Sequence, residues 1–251
     1  MIRLDKIVMA MLLPALSACV TTGGDMPPAH PRDAAAINAQ MGLEYMEQGN
    51  DELAMEKLQH ALKLDPDSAD ANHYVALLYV KLGNNKEAEE HYHRALSERP
   101  NDPNLLNNYG LFLCRQKRLD EAQEKFLAAA KQPFYRSPEV AYTNAGVCAM
   151  AVPDFKHAED DFRAALRQDP NMPEALYGMA DLSFKQQRYL PARAFVQRYL
   201  DAAPAGPRIL LLAARVERKL GDETSAMKYA DQLRSKFPTS PEADAVNEAA
   251  P

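Results

Sequence analysis

Few side chains in this sequence are spaced to do chemistry, and the clearest is a lone thiol. Cys19 ends an apolar run from Ile7 to Leu16 through Leu16-Ser17-Ala18, and small uncharged residues, Val20 to Gly24, follow it. A cysteine flanked by small residues presents a soft, accessible sulfur nucleophile, suited to attack on an alkyl donor. The other two cysteines, Cys114 and Cys148, are candidates for pairing in an oxidising compartment. The histidines offer less. His60, His73, His91, His93 and His157 are scattered, and His91 and His93, two apart, do not share a helix face. No metal site is expected, and the histidines read as solvent-facing or groove-lining. There is no glycine-rich phosphate loop and no nucleophile elbow. The expected chemistry is modification and binding, with no enzyme activity and no dissociable cofactor.

The elements around Cys19 explain its place. Residues 1–6, MIRLDK, carry Arg3 and Lys6, and the apolar run that follows is about half of what a helix needs to cross a bilayer. A charged start, a short apolar middle and small residues read as a secretory signal. Leu16-Ser17-Ala18-Cys19 matches the bacterial lipobox, which implies a diacylglyceryl thioether on Cys19, cleavage before it and acylation of the new amine. The bland reading is an ordinary signal with an incidental cysteine. Several acyl chains anchor stably, at ~0.8 kcal/mol per buried methylene. Val20 stands where inner-membrane lipoproteins usually carry aspartate, so the expected location is the periplasmic face of the outer membrane. The expected organisation is a signal over 1–18 and a flexible lipidated tether over 19–34, rich in Gly, Pro and Thr. Acidic residues outnumber basic ones, giving a formal net charge of −6, so no nucleic-acid partner is expected.

The rest is periodic. Proline recurs at 66, 100, 170, 204 and 238, at intervals of 34 residues apart from one of 70. A period of 34 is that of the tetratricopeptide repeat. With proline at position 32, the repeats are 35–68, 69–102, 103–138, 139–172, 173–206 and 207–240. The third has two extra residues near Pro133-Phe134-Tyr135. Position 8 is Gly42, Ala76, Gly110, Gly146, Ala180 and Ala214, and position 20 is alanine every time, from Ala54 to Ala226. Small residues there let two helices cross closely. Position 24 fills the space beside the crossing with Leu58, Tyr92, Phe126, Phe162 and Val196 in the first five repeats. Proline ends the second helix because it lacks an N–H and disfavours helix in the residue before it. The predicted fold is all-α: a right-handed superhelical solenoid of six helix pairs, with a short tail, 241–251, as a frayed end or small cap. The sixth repeat is the weakest, with Glu217 at position 11.

Stacked pairs make one continuous core and a concave side lined by first helices. Positions 2, 5, 9, 12 and 13 are expected to face it. In the first three repeats these include Leu43, Met46, Leu77, Val80 and Leu111. A large open apolar patch implies a partner, here a peptide segment. The alternative is that neighbouring helices or the tether cover it. The last two repeats place Tyr177, Phe184, Lys185, Arg208, Arg215, Arg218 and Lys219 on this face, which reads as a solvated charged surface or a site for an acidic partner or lipid headgroups. Carboxylate-clamp recognition of peptide C-termini is rejected. Asn108 fits it, but His73, Leu77, Val140 and Asn144 do not. Cys114 and Cys148 fall on adjacent first helices, so a bridge is geometrically open to them, the alternative being two small buried thiols.

Residues 107–150, NNYGLFLCRQKRLDEAQEKFLAAAKQPFYRSPEVAYTNAGVCAM, resemble the type IV pilus biogenesis and stability lipoprotein family (PilF/PilW), nearest its PilF end, and the resemblance extends over essentially the whole chain. Asn107-Asn108-Tyr109-Gly110 with Cys114, and Asn144-Ala145-Gly146 with Cys148, are its most specific elements. The resemblance implies a pilotin. Such a protein binds the secretin subunit of the type IV pilus and reaches the outer membrane through the lipoprotein-sorting machinery, so that the secretin multimerises there. A scaffold or regulator of cell-wall enzymes is the other reading.

Overall fold

The computed structural model describes residues 30–152 and 154–248. The segment 1–18, Cys19 and the tether as far as residue 29 lie outside the described residues, and residues 31–34, expected as tether, belong to the first helix. Among the described residues there are thirteen helices, which form six antiparallel pairs and a final single helix. The first helices of the pairs are α1 (Pro31–Glu47), α3 (Ala69–Leu82), α5 (Pro103–Arg115), α7 (Pro138–Met150), α9 (Pro173–Lys185) and α11 (Pro207–Lys219). Their partners are α2 (Asp51–Leu64), α4 (Asn85–Glu98), α6 (Leu119–Ala130), α8 (Phe155–Gln168), α10 (Tyr189–Ala202) and α12 (Glu223–Lys236). The chain is an all-α tetratricopeptide-repeat solenoid.

Local sequence sets the boundaries. Five first helices open on proline, which donates no N–H where none is needed and whose fixed φ suits a first turn. Pro31 starts α1 four residues ahead of position 35, because repeat phase marks where contacts recur and not where a helix begins. Asn50, Ser68, Asp154 and Asp222 cap helix N-termini by accepting a backbone N–H three residues on. Four second helices and α12 end two residues before prolines 66, 100, 170, 204 and 238. The turn inside a pair uses a left-handed residue at position 15: Gly49, Gly83 and Gly221, or Lys117 and Gln187 at φ 61° and 60°.

Within a pair the crossing is as tight as the small residues allow. A Cβ added to Gly110 would lie 2.7 Å from the Phe126 ring, and one on Gly146 would lie 2.8 Å from Phe162. Phe162 also contacts the next repeat. A Cβ on Gly178 of α9 would come within 2.3 Å of its Cζ. Glu217 is buried but satisfied, since Arg193 of α10 donates to it through Nε at 3.0 Å and through its terminal nitrogen. The tail forms α13 (Pro241–Glu248), whose Ala243 and Val246 pack on Leu210, Leu211 and Leu233. It covers the apolar end that the last repeat would otherwise expose.

The backbones of consecutive first helices pack closely from α1 through α11, whereas those of successive second helices stay apart, even where a side chain such as Gln123 of α6 reaches Asp161 of α8. The backbone of each second helix lies close to that of its own partner and of the helix that follows. The first helices therefore lie on the shorter, inner path, and that side is concave.

Candidate functional site

Position 9 of each first helix shows how the concave face is built. Read in chain order it is Leu43, Leu77, Leu111, Val147, Asp181 and Arg215. Leu43, Leu77 and Leu111 are half-buried, and Val147 is 55% exposed. Met46 and Val80, at position 12, are also half-buried and rest on the core. These side chains form an apolar row over four repeats, each with part of its surface open, and Met46, Leu77, Val80 and Leu111 are seated on the core. Val147 was not singled out from sequence, although it shares the spacing of the three leucines and the same count finds it.

Beside the row runs a set of amide and imidazole groups that link consecutive repeats. Asn108 Nδ2 donates to His73 Nε2 at 3.0 Å, and Asn144 Nδ2 donates to Asn107 Oδ1 at 3.0 Å. Buried Asn72 gives both amide hydrogens to the Pro66 and Ser68 carbonyls at 2.9 Å, so its Oδ1 accepts from His91 Nδ1 at 2.8 Å. His73, at position 5 on α3, is buried, so of the two readings the sequence offered the solvent-facing one does not hold for it; burial pushes its pKa down to about 4. Spacing along one helix could not show this, because the partner lies a repeat away. A neutral His73 and the absence of a cation at Val140 or Asn144 also explain why this part of the face cannot clamp a carboxylate.

Cys114 on α5 and Cys148 on α7 are joined by a disulfide, with Cα atoms 5.9 Å apart. Cys114 occupies position 12 and each cysteine is one helix turn or less from a member of the apolar row, Leu111 or Val147. The bridge thus ties two inner helices together under the middle of the face.

The far end differs. Arg208 lies over the Tyr177 ring at 4.3 Å, and Lys185 pairs with Asp181 at 2.8 Å. Arg215 and Lys219 are exposed, Arg218 is half-buried, and Phe184 packs against Tyr189 at 5.6 Å between centroids. Among the described residues no three His, Cys, Asp or Glu side chains converge as a metal site would need, and no helix is long and apolar enough to cross a membrane.

Tetratricopeptide-repeat families match residues 42–83, 75–136, 149–216 and 208–240. The type IV pilus assembly protein PilF of Pseudomonas aeruginosa is 33% identical over 233 residues, 92% of each chain. The solved structure of P. aeruginosa PilF superposes with a TM-score of 0.76 at 32% identity, covering 88% of this chain and 99% of that one. The structure of PilW, a widely conserved type IV pilus biogenesis factor, gives a TM-score of 0.78 at 30% identity over 85% of this chain and 98% of its own.

Proposed function

Because the chain belongs to the PilF/PilW family of tetratricopeptide-repeat proteins of type IV pilus biogenesis, we propose that it is a pilotin. In this reading it is an outer-membrane lipoprotein, acylated at Cys19, that holds a secretin subunit of the pilus channel in its groove and promotes secretin localisation and multimerisation. It binds and carries; it does not catalyse. The lipoprotein-sorting machinery is the second partner this reading needs.

The observation that carries it is the apolar row Leu43, Leu77, Leu111 and Val147, at one position of four successive repeats and partly open in each. The row has a defined spacing. Packed helix axes lie ~8–10 Å apart, so four members span roughly 24–30 Å. An extended chain with three residues per turn advances ~3.1 Å per residue, so every third side chain meets the next member of the row. The segment that fits is about ten residues long, extended, with apolar side chains at every third position. An acyl anchor holds the protein at the membrane while the groove keeps that segment from water.

Leu43→Glu with Leu77→Glu tests the groove. Covering the open half of each leucine is worth about 1 kcal/mol, so the pair should weaken secretin binding roughly 30-fold in a pull-down with thermal stability retained. Undiminished capture would remove the groove assignment. Cys19→Ser should leave a folded, secretin-binding protein away from the outer membrane. If heat-stable secretin multimers still reached the outer membrane in full, the carrier role would be wrong.

A further inference from the structure

The charged end of the concave face has a shape as well as a charge. A recess of about 260 Å³ opens between α9, α11 and α13. Tyr177, Phe184 and Leu212 line it, with Lys185, Arg208 and Arg215 among its polar walls. Glu242 of α13 closes one side. Lys219, one turn beyond Arg215 on the same helix, extends the cationic strip.

Two of these cations are set to receive a ligand. The Arg208 guanidinium lies on the Tyr177 ring at 4.3 Å, which fixes its plane while leaving its edge N–H groups pointing away from the ring. Neither Arg208 nor Arg215 makes an ion pair within 4.0 Å among the described residues, whereas nearby Lys185 and Arg193 do. These arginines stand on an apolar floor, and a partner that meets both features needs carboxylates beside an aliphatic or aromatic side chain.

We propose that this recess is a second docking site, for an acidic polypeptide segment whose carboxylates bridge Arg208 and Arg215 while an apolar side chain enters between Tyr177 and Phe184. A bilayer is the poorer fit. The recess is concave and walled by a helix, and anionic headgroups packed against it would meet Glu242 and Asp181. A peptide can place its carboxylates at the arginines and avoid both. The site rests on its own residues and does not require the apolar row to hold secretin.

The test uses the full chain in detergent and a fluorescein-labelled decapeptide alternating Glu with Leu and carrying one Phe, against the same peptide with Lys for Glu. The acidic peptide should bind, more weakly as salt is raised, and the basic one should not. Arg208→Glu with Arg215→Glu should weaken the acidic peptide at least tenfold, and Arg208→Gln with Arg215→Gln by less, with unchanged circular-dichroism melting. Leu77→Glu should leave this binding intact, which separates the site from the apolar groove. Equal binding of both peptides, or acidic-peptide binding indifferent to both double variants, would overturn the proposal. So would arginine-dependent binding to phosphatidylglycerol vesicles with none to the peptide.

Discussion

Acid should loosen the array through His73. Its imidazole is 8% exposed, Nε2 accepts from Asn108, and burial holds its pKa at about 4. Asp70 and Asp102 oppose that shift, and Arg99, which pairs with both, cancels part of their effect. In the unfolded chain the same group titrates near 6.5. Between these two values the unfolded state binds a proton that the folded state refuses. Stability therefore falls as pH drops from 6.5 to about 4 and is fully present above that window. The separation corresponds to roughly 3 kcal/mol over the whole window, and to about 2 kcal/mol between pH 7.5 and pH 5. His73→Gln keeps an acceptor for Asn108 and removes the titration. Urea unfolding of both proteins at pH 7.5 and pH 5 isolates the effect as a difference of differences. The unsubstituted protein should lose about 2 kcal/mol more than the variant. If the two lost the same amount, the buried imidazole would not be the acid-sensitive element and the reasoning would fail.

Asp161 should act with the opposite sign. Burial raises its carboxyl to about 6 although Gln123 donates to it at 2.7 Å, so its stabilising protonated form is lost as pH rises through 6. Asp161→Asn should melt higher at pH 7.5 and the same at pH 4; a lower melting temperature at pH 7.5 would contradict this. The disulfide closes a sequence separation of 34 residues, so Cys114→Ser with Cys148→Ser should cost about 3–4 kcal/mol by guanidinium unfolding. A cost under about 1 kcal/mol would show that the bridge does not constrain the chain. Gly178→Ala drives a methyl into Phe162 and should cost about 1–3 kcal/mol, whereas Gly206→Ala meets nothing within 4 Å and should be neutral or slightly stabilising. Equal melting temperatures for these two variants would mean that Phe162 yields freely.

What was readable in the sequence follows the range of each contact. Gly42, Gly110 and Gly146 at position 8 and the alanines at position 20 recur because every pair repeats the same crossing, so the contact recurs in register. The apolar row was readable for a similar reason, since position 9 returns to the inner side in every repeat. Gly178 was not readable. It opposes Phe162 of the preceding repeat from position 6, and no other repeat places a glycine there. The Asn108–His73 and Asn144–Asn107 links also cross repeats. Both run from an asparagine at position 6 to position 5 of the preceding repeat, but the acceptor is His73 in one and Asn107 in the other, and periodicity of residue type does not reveal a contact whose partner changes. The cap α13 is short, and only its burial on Leu210 and Leu233 shows its purpose.

The disulfide spans the step of the array that carries the two extra residues. Between α6 and α7 the chain runs from 131 to 137 as a longer connection, with Phe134 projecting into solvent. That extra length lies on the outer path, between a second helix and the next first helix. It makes that connection two residues longer than the 34-residue period requires, while α7 still packs on both α6 and α5. The Cys114–Cys148 bridge holds the two Cα atoms 5.9 Å apart at that step and so joins α5 to α7 covalently. Leu111 and Val147 are three and one residues from those cysteines, so the clamp fixes their separation directly. The apolar row thus continues from Leu111 to Val147 across the irregular repeat, as the proposed docking of an extended segment requires.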